Sequence, residues 1–394
     1  VIGGATRRGP ISVVEQPSPW QRVARVFAGF DAPLALSIAL LAAIGLVAMY
    51  SAGYDHGTRF VDHARNMGLA LAVLFVFAQV PPQKLARLAL PLYAAGVVLL
   101  LAVEFFGVTK KGATRWLDLG PIVIQPSEML KIAVPMALAW WFQRREGQVR
   151  ALDFGVGAVL LAVPFLLVAK QPDLGTALLI GAAGVFVLFF AGLPWWLILP
   201  LAGVAVAGIV ALVAFGDTLC APGLDWQVLH EYQKQRVCTL LDPTRDPLGK
   251  GFHILQGMIA IGSGGLDGKG FMQGTQTHLE FIPERTTDFV FAAFSEEFGL
   301  AGVLVLLAAF TFLVFRGLVI AAEAPTVFAR LLAGAITLSL FTYAFVNMGM
   351  VSGILPVVGV PLPFVSYGGT AMVSLGLALG ILMSIARSRR LMPS

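Results

Sequence analysis

Apolar runs of spanning length recur along the chain, near residues 32 to 51, 67 to 80, 87 to 106, 127 to 142, 154 to 170, 174 to 192, 196 to 215, 289 to 315, 331 to 350 and 364 to 386. A helix rises about 1.5 Å per residue, so roughly 20 apolar residues cross a hydrocarbon core. The pattern predicts an all-α polytopic membrane protein with about ten transmembrane helices. The second and fourth runs are short, and their ends are the least fixed. A segment from 216 to 287 separates the seventh and eighth runs, too long for a plain connection in a compact membrane protein. Its apolar middle, Phe252 to Ile261, is too short to span and predicts a re-entrant or interfacial helix. Between Asn347 and Thr370, Pro356, Pro361 and Pro363 rule out a continuous helix. Non-helical backbone at that depth persists where it is buried in protein or lines a cavity. No internal repeat is visible, which counts against an inverted-repeat transporter.

Composition agrees with this picture. The chain is 58% hydrophobic and 12% charged, with a mean hydropathy of +0.83, where soluble domains carry about 25% charged residues. The net charge of +5 does not point to nucleic acid, because the basic residues fall in short clusters between apolar runs. With the N-terminus inside, the inner segments hold 14 basic residues (Arg7, Arg8, Arg22, Arg25, Lys84, Arg87, Arg144, Arg145, Arg150, Arg316, Arg330, Arg387, Arg389 and Arg390). The short outer loops hold 6: Arg59, Arg65, Lys110, Lys111, Arg115 and Lys170. This bias predicts a cytoplasmic segment 1–31, one transmembrane domain 32–386 with its 216–287 loop outside, and a cytoplasmic tail 387–394. Residues 1–31 lack the apolar core of a cleavable signal. Cys220 and Cys238 share the outward loop, where an oxidising compartment permits a disulfide; a bond and two free thiols are the two readings, the bond preferred.

Candidate chemistry gathers where polar groups meet apolar runs. Asp288 stands at the start of the eighth run, with Ala292, Ser295 and Gly299 on the helical face beneath it. That face predicts either room for a groove or close helix packing, and Asp288 is either a cap or a functional carboxylate. Glu296 and Glu297 lie about two turns deeper, where acids are costly and usually paired. In the fourth run Glu128 and Lys131, at i,i+3, can pair on one face. Lys131 is the one basic residue deep in a predicted span, so an outer-loop cation must reach the other acids or one of them is protonated. The preceding outer loop offers Lys110, Lys111, Arg115 and Trp116, which suit either membrane anchoring or a phosphate headgroup. Asp173 adds an acid on the same side, as a cap or a ligand group. Residues Gly262 to Gly270 imitate a phosphate loop, but Ser263 and Gly270 break the motif. The histidines show no metal spacing and no Ser/His/Asp set is present.

Several stretches together resemble the SEDS family (shape, elongation, division, sporulation): Gly112-Ala-Thr-Arg-Trp116, Gln125-Pro-Ser-Glu-Met-Leu-Lys131, Gln171-Pro-Asp-Leu-Gly-Thr-Ala177, Asp242 to Gly249, Pro283 to Phe289, and Gly349 to Thr370. Each alone is weak; jointly, in this order, they are specific. Leu279 to Arg285 resembles the elongation type more than the division type. Thr286 departs from the family's frequent histidine and leaves the aspartate in register.

The resemblance implies a peptidoglycan glycosyltransferase of the bacterial cytoplasmic (inner) membrane, polymerising lipid II on the outer face during elongation and rod-shape maintenance. Its implied partners are a class B penicillin-binding protein and other elongation-complex membrane proteins. It makes Asp288 the essential acid, the base toward the acceptor 4-hydroxyl. Glu128, Lys131, Glu296 and Glu297 would shape or support the cavity, and Arg115 and Trp116 would lie near the donor. Pyrophosphate leaves readily, so no second carboxylic acid is required. Loop cations, or a divalent ion such as Mg or Mn, would stabilise its charge. The alternatives are a flippase for the lipid-linked precursor, which needs polar groups along a whole path, and a scaffold indifferent to loss of the Asp288 carboxylate.

Overall fold

The computed structural model describes residues 28–390, apart from 56, 111–112, 119, 121–122, 222–230, 246–248, 250 and 283. Each apolar run becomes a helix: α1 Ala32–Ala52, α2 Arg59–Phe77, α3 Pro82–Phe106, α4 Pro126–Arg144, α5 Ala151–Lys170, α6 Leu174–Phe190 and α7 Trp195–Ala214. After the 216–287 segment come α12 Val290–Ala322, α13 Val327–Val351 and α14 Gly369–Arg390. Eight of the ten are long and apolar enough to cross a membrane. The other two are α4, which carries Glu128 and Lys131, and the 17-residue α6.

The ends moved where apolarity misled. Helix α2 starts at Arg59 rather than 67, because two polar turns precede its apolar part. Helix α14 starts at Gly369 rather than 364, since Phe364 takes a φ of 65° that no helix accepts.

The 216–287 segment holds α8 Gly216–Leu219, α9 Glu231–Leu241, a 3-10 turn Pro243–Arg245, α10 Phe252–Gly264 and α11 Thr275–His278. Cys220 and Cys238 form a disulfide, with Cα atoms 5.6 Å apart, tying the end of α8 to α9. The all-α expectation missed one element, a small antiparallel sheet after α3: β1 Val108–Lys110, β2 Ala113–Asp118 and β3 Val123–Ile124, in that order. Lys110 ends β1, Arg115 and Trp116 lie on β2, and Lys111 falls outside the described residues.

Helix α13 sits at the centre, packed by α12, α6 and α4. Helix α14 lies against α2 so closely that a Cβ at Gly376 would stand 2.2 Å from the Ala70 carbonyl. Small residues of this kind let membrane helices approach where apolar area gives no preference over lipid.

Helix α12 is two helices joined at Gly299, whose φ of 60° and ψ of −162° break the ladder. The Lys269 and Gly270 amides donate to the Glu296 and Glu297 carbonyls, and those of Leu300 and Ala301 donate to Gly265 and Leu266. Residues 265–270 thus satisfy backbone groups that the break exposes, as burial without water demands. This also decides the face under Asp288. Ala292, Ser295 and Gly299 are buried, and a Cβ at Gly264 would stand 2.2 Å from the Ser295 carbonyl. The expected groove is filled by residues 264–268, and close packing is the correct reading.

Candidate active site

Asp288 lies in the turn before α12, half-buried, while Phe289 takes the N-cap position. Three successive carbonyls of this turn are held from behind. The Thr286 carbonyl accepts from the Tyr367 amide at 2.8 Å. That of Thr287 accepts from Ser366 Oγ at 2.6 Å, and that of Asp288 from Asn347 Nδ2 at 3.0 Å. Asn347 also donates to the Val360 carbonyl at 2.7 Å and is fully buried. In front, a side chain at Gly359 would put its Cβ 3.5 Å from Asp288 Oδ2. Non-glycine residues with positive φ flank the turn, Glu284 at 51° and Phe364 at 65°; such conformations persist where the surroundings over-determine them.

Below the turn, Arg285 is buried and donates to the Ala52 carbonyl at 3.1 Å, to the Thr277 carbonyl at 2.7 Å and to the Asp55 carboxylate. His253 of α10 stands against Phe289, ring centroids 5.7 Å apart. Burial lowers the His253 pKa below the ordinary histidine value, with Glu284 opposing.

A cleft of about 730 Å³, mouth included, opens on the other side of the 361–366 turn. Its walls include Lys131, Tyr343, Leu362, Phe364, Ser366 and Ser374. Lys131 Nζ donates to Glu128 Oε1 at 2.6 Å, and Ser374 Oγ to Glu128 Oε2 at 3.0 Å. Lys131 also stands 5.3 Å from the Tyr343 ring. Ser366 belongs both to the cleft and to the Asp288 turn.

The other sequence candidates stand further back. Arg115 donates to the Pro172 carbonyl at 2.5 Å and lies 3.6 Å from Asp173, which also accepts from Gln125 at 3.2 Å. Asp173 caps α6 through the Thr176 amide. Two residues on, a Cβ at Gly175 would stand 2.6 Å from the Val358 carbonyl, so this cluster supports the strand of chain in front of Asp288. Glu296, fully buried, accepts from Lys269 at 2.6 Å, from Thr275 at 3.1 Å and from the Gln276 amide at 2.8 Å. Glu297 accepts from Ser51 Oγ. Lys269 of the 216–287 segment therefore pairs with Glu296. Among the described residues no three His, Cys, Asp or Glu side chains approach closely enough to hold a metal ion.

Sequence reasoning passed over Asn347, Ser366, Tyr343 and Arg285 as individuals. A lone Asn in a 25-residue apolar helix is the one signal that marked any of them.

A carboxylate at a fixed turn beside a largely apolar cleft, within a polytopic helical bundle, is the layout of a membrane-embedded enzyme. The chain belongs to the FtsW, RodA and SpoVE family of cell cycle proteins, whose pattern matches residues 32–391. It is 49% identical over 359 residues to peptidoglycan glycosyltransferase MrdB of Escherichia coli K12, covering 91% of this chain and 94% of that protein. Over 370 residues it is 35% identical to the probable peptidoglycan glycosyltransferase FtsW of Geobacter metallireducens, covering 91% and 94%. The fold matches a chain of a peptidoglycan synthase complex that coordinates polymerization and crosslinking, with a TM-score of 0.75, 31% identity and coverage of 92% and 99%. It also matches the rod shape determining protein RodA of Thermus thermophilus, with a TM-score of 0.67, 28% identity and coverage of 91% and 97%. The elongation-type resemblance agrees with the higher identity to MrdB.

Proposed function

We infer that this chain is a peptidoglycan glycosyltransferase that polymerises lipid II during cell elongation and rod-shape maintenance. It acts at the outer face of the cytoplasmic membrane, with both termini inside, and works with a class B penicillin-binding protein and other elongation-complex membrane proteins. The relatives' shared name supports the reaction class. The observation that carries the site is the Asp288 turn, whose three carbonyls are held by Tyr367, Ser366 and Asn347, with Ser366 also lining the Lys131 cleft.

The acceptor sugar's 4-hydroxyl attacks the donor's anomeric carbon, the bond to pyrophosphate breaks, and Asp288 takes the hydroxyl proton. A carboxylate so placed raises the nucleophilicity of a hydroxyl that is otherwise neutral at physiological pH. The lipid-linked donor brings its apolar chain to the cleft, whose polar end is Lys131 with Glu128. Arg115 and Asp173 act by shaping the loop in front of the base.

Asp288→Asn keeps the shape and removes the base. Polymer formation from labelled lipid II by the purified complex in detergent is expected to fall about 100- to 10,000-fold. Undiminished polymer would sink the base assignment. Polymerisation by the unaltered protein in detergent, where there is no membrane to cross, separates an enzyme from a flippase.

A further inference from the structure

Asn347 and Ser366 have no part in the chemistry above, yet they hold the backbone on which the base is mounted. Asn347 is fully buried in an apolar helix, where a lone amide is costly unless bonded. Its Nδ2 reaches two carbonyls from different segments, Asp288 and Val360. Both are acceptors, so the amide orientation is fixed: its oxygen cannot replace the nitrogen there. Ser366 Oγ makes a second joint. It accepts from the Leu362 amide at 2.8 Å and donates to the Thr287 carbonyl at 2.6 Å.

The two side chains therefore bind the chain in front of the carboxylate (Val360, next to Gly359) and the cleft-lining turn 361–366 to the backbone carrying the carboxylate. Without them, the Asp288 carbonyl loses its Asn347 bond and the Thr287 carbonyl its Ser366 bond, while the Tyr367 amide still holds Thr286. A turn pinned at one of three points can rotate, and a shift of about 1 Å at a catalytic group is enough to cost about 100-fold in rate.

We propose that Asn347 and Ser366 are positioning residues of the transferase, fixing the Asp288 carboxylate against the acceptor hydroxyl through the backbone. The inference rests on Asp288 being the base. A general role in stability would lower the amount of folded protein; positioning lowers turnover at unchanged substrate affinity.

The test uses full-length protein purified with its penicillin-binding partner and labelled lipid II, comparing Ser366→Ala, Ser366→Thr, Asn347→Asp and Asp288→Asn. Thermal unfolding and partner co-purification report the fold, and Ser366→Ala decides if Asn347→Asp fails to accumulate. Ser366→Ala is expected to lower kcat about 10- to 100-fold with KM within about twofold. Ser366→Thr, which keeps the hydroxyl, is expected to restore at least half of the lost rate. The proposal is overturned if Ser366→Ala leaves kcat unchanged, if it raises KM alone, or if Ser366→Thr is as slow as Ser366→Ala. Those results with an inactive Asp288→Asn leave the base reading standing. A fully active Asp288→Asn overturns both.

Discussion

Helices α12 and α7 contain windows of the same mean hydropathy, 2.6, but a third of the α12 window is buried and none of the α7 window is, and the contrast is sharpest in the first turns of α12. Every residue from Val290 to Glu297 is buried, whereas none of the 20 residues of α7 is. Lipid is as apolar as leucine, so apolar area alone does not draw one membrane helix onto another. The first turns of α12 carry Ala292, Ala293, Ser295 and Gly299, which admit the 264–268 backbone, and Glu296 and Glu297, which must find donors. Helix α7 has two glycines, Gly203 and Gly208, and a Cβ at either would meet nothing within 4 Å. Contact in this protein follows small residues and polar pairs, and the Asp288 turn is attached to the end of the bundle that has both.

The comparison breaks most directly at Glu296. Glu296→Ala would leave Lys269 and the donors of 275–277 facing an apolar methyl. Removing one partner of a buried pair costs about 3–5 kcal/mol, read as a fall in unfolding temperature and as early proteolysis within 264–278. A loss below about 1 kcal/mol would mean that α12 is held by apolar contact after all. Gly299→Ala comes next. Its backbone angles are essentially restricted to glycine, at about 1–3 kcal/mol for another residue, and the new Cβ would stand 2.3 Å from the Gly268 amide nitrogen. Thermal unfolding checks it; a neutral result would show that the break relaxes into continuous helix.

The same contrast explains what could be read from the sequence. The helices were legible because each contains a long apolar run, and Glu128 with Lys131 because their pairing is local. Asp288 stood out through the family motif. The backbone clamp was not legible: Asn347 and Ser366 reach their carbonyls across 59 and 79 residues, and nothing local announces the contact. The sequence could not decide between a groove and close packing under Asp288, because the occupant of that face, 264–268, belongs to a long connecting segment whose course the sequence does not reveal. The small sheet at 108–124 was missed because its strands are two to six residues long and show no clean alternation.

The smallest expected effect is on α7, and it tests the other side of the comparison. Leu199, Val204 and Val206 are 64%, 74% and 60% exposed, so truncation opens no cavity within the protein and lipid fills the space. Leu199→Ala and Val206→Ala are therefore expected to shift stability by less than about 0.5 kcal/mol, as for surface sites. A shift above about 1 kcal/mol would show that α7 packs on the bundle in solution. The attachment of α7 is through its chain ends instead: Trp195 meets Phe189 edge-on, and α8 leads to the Cys220–Cys238 bond and α9. A helix so attached can be displaced without loss of core contacts, while no displacement of α12 is possible without uncovering Glu296. The Asp288 carboxylate thus stands at the start of the element that cannot move cheaply.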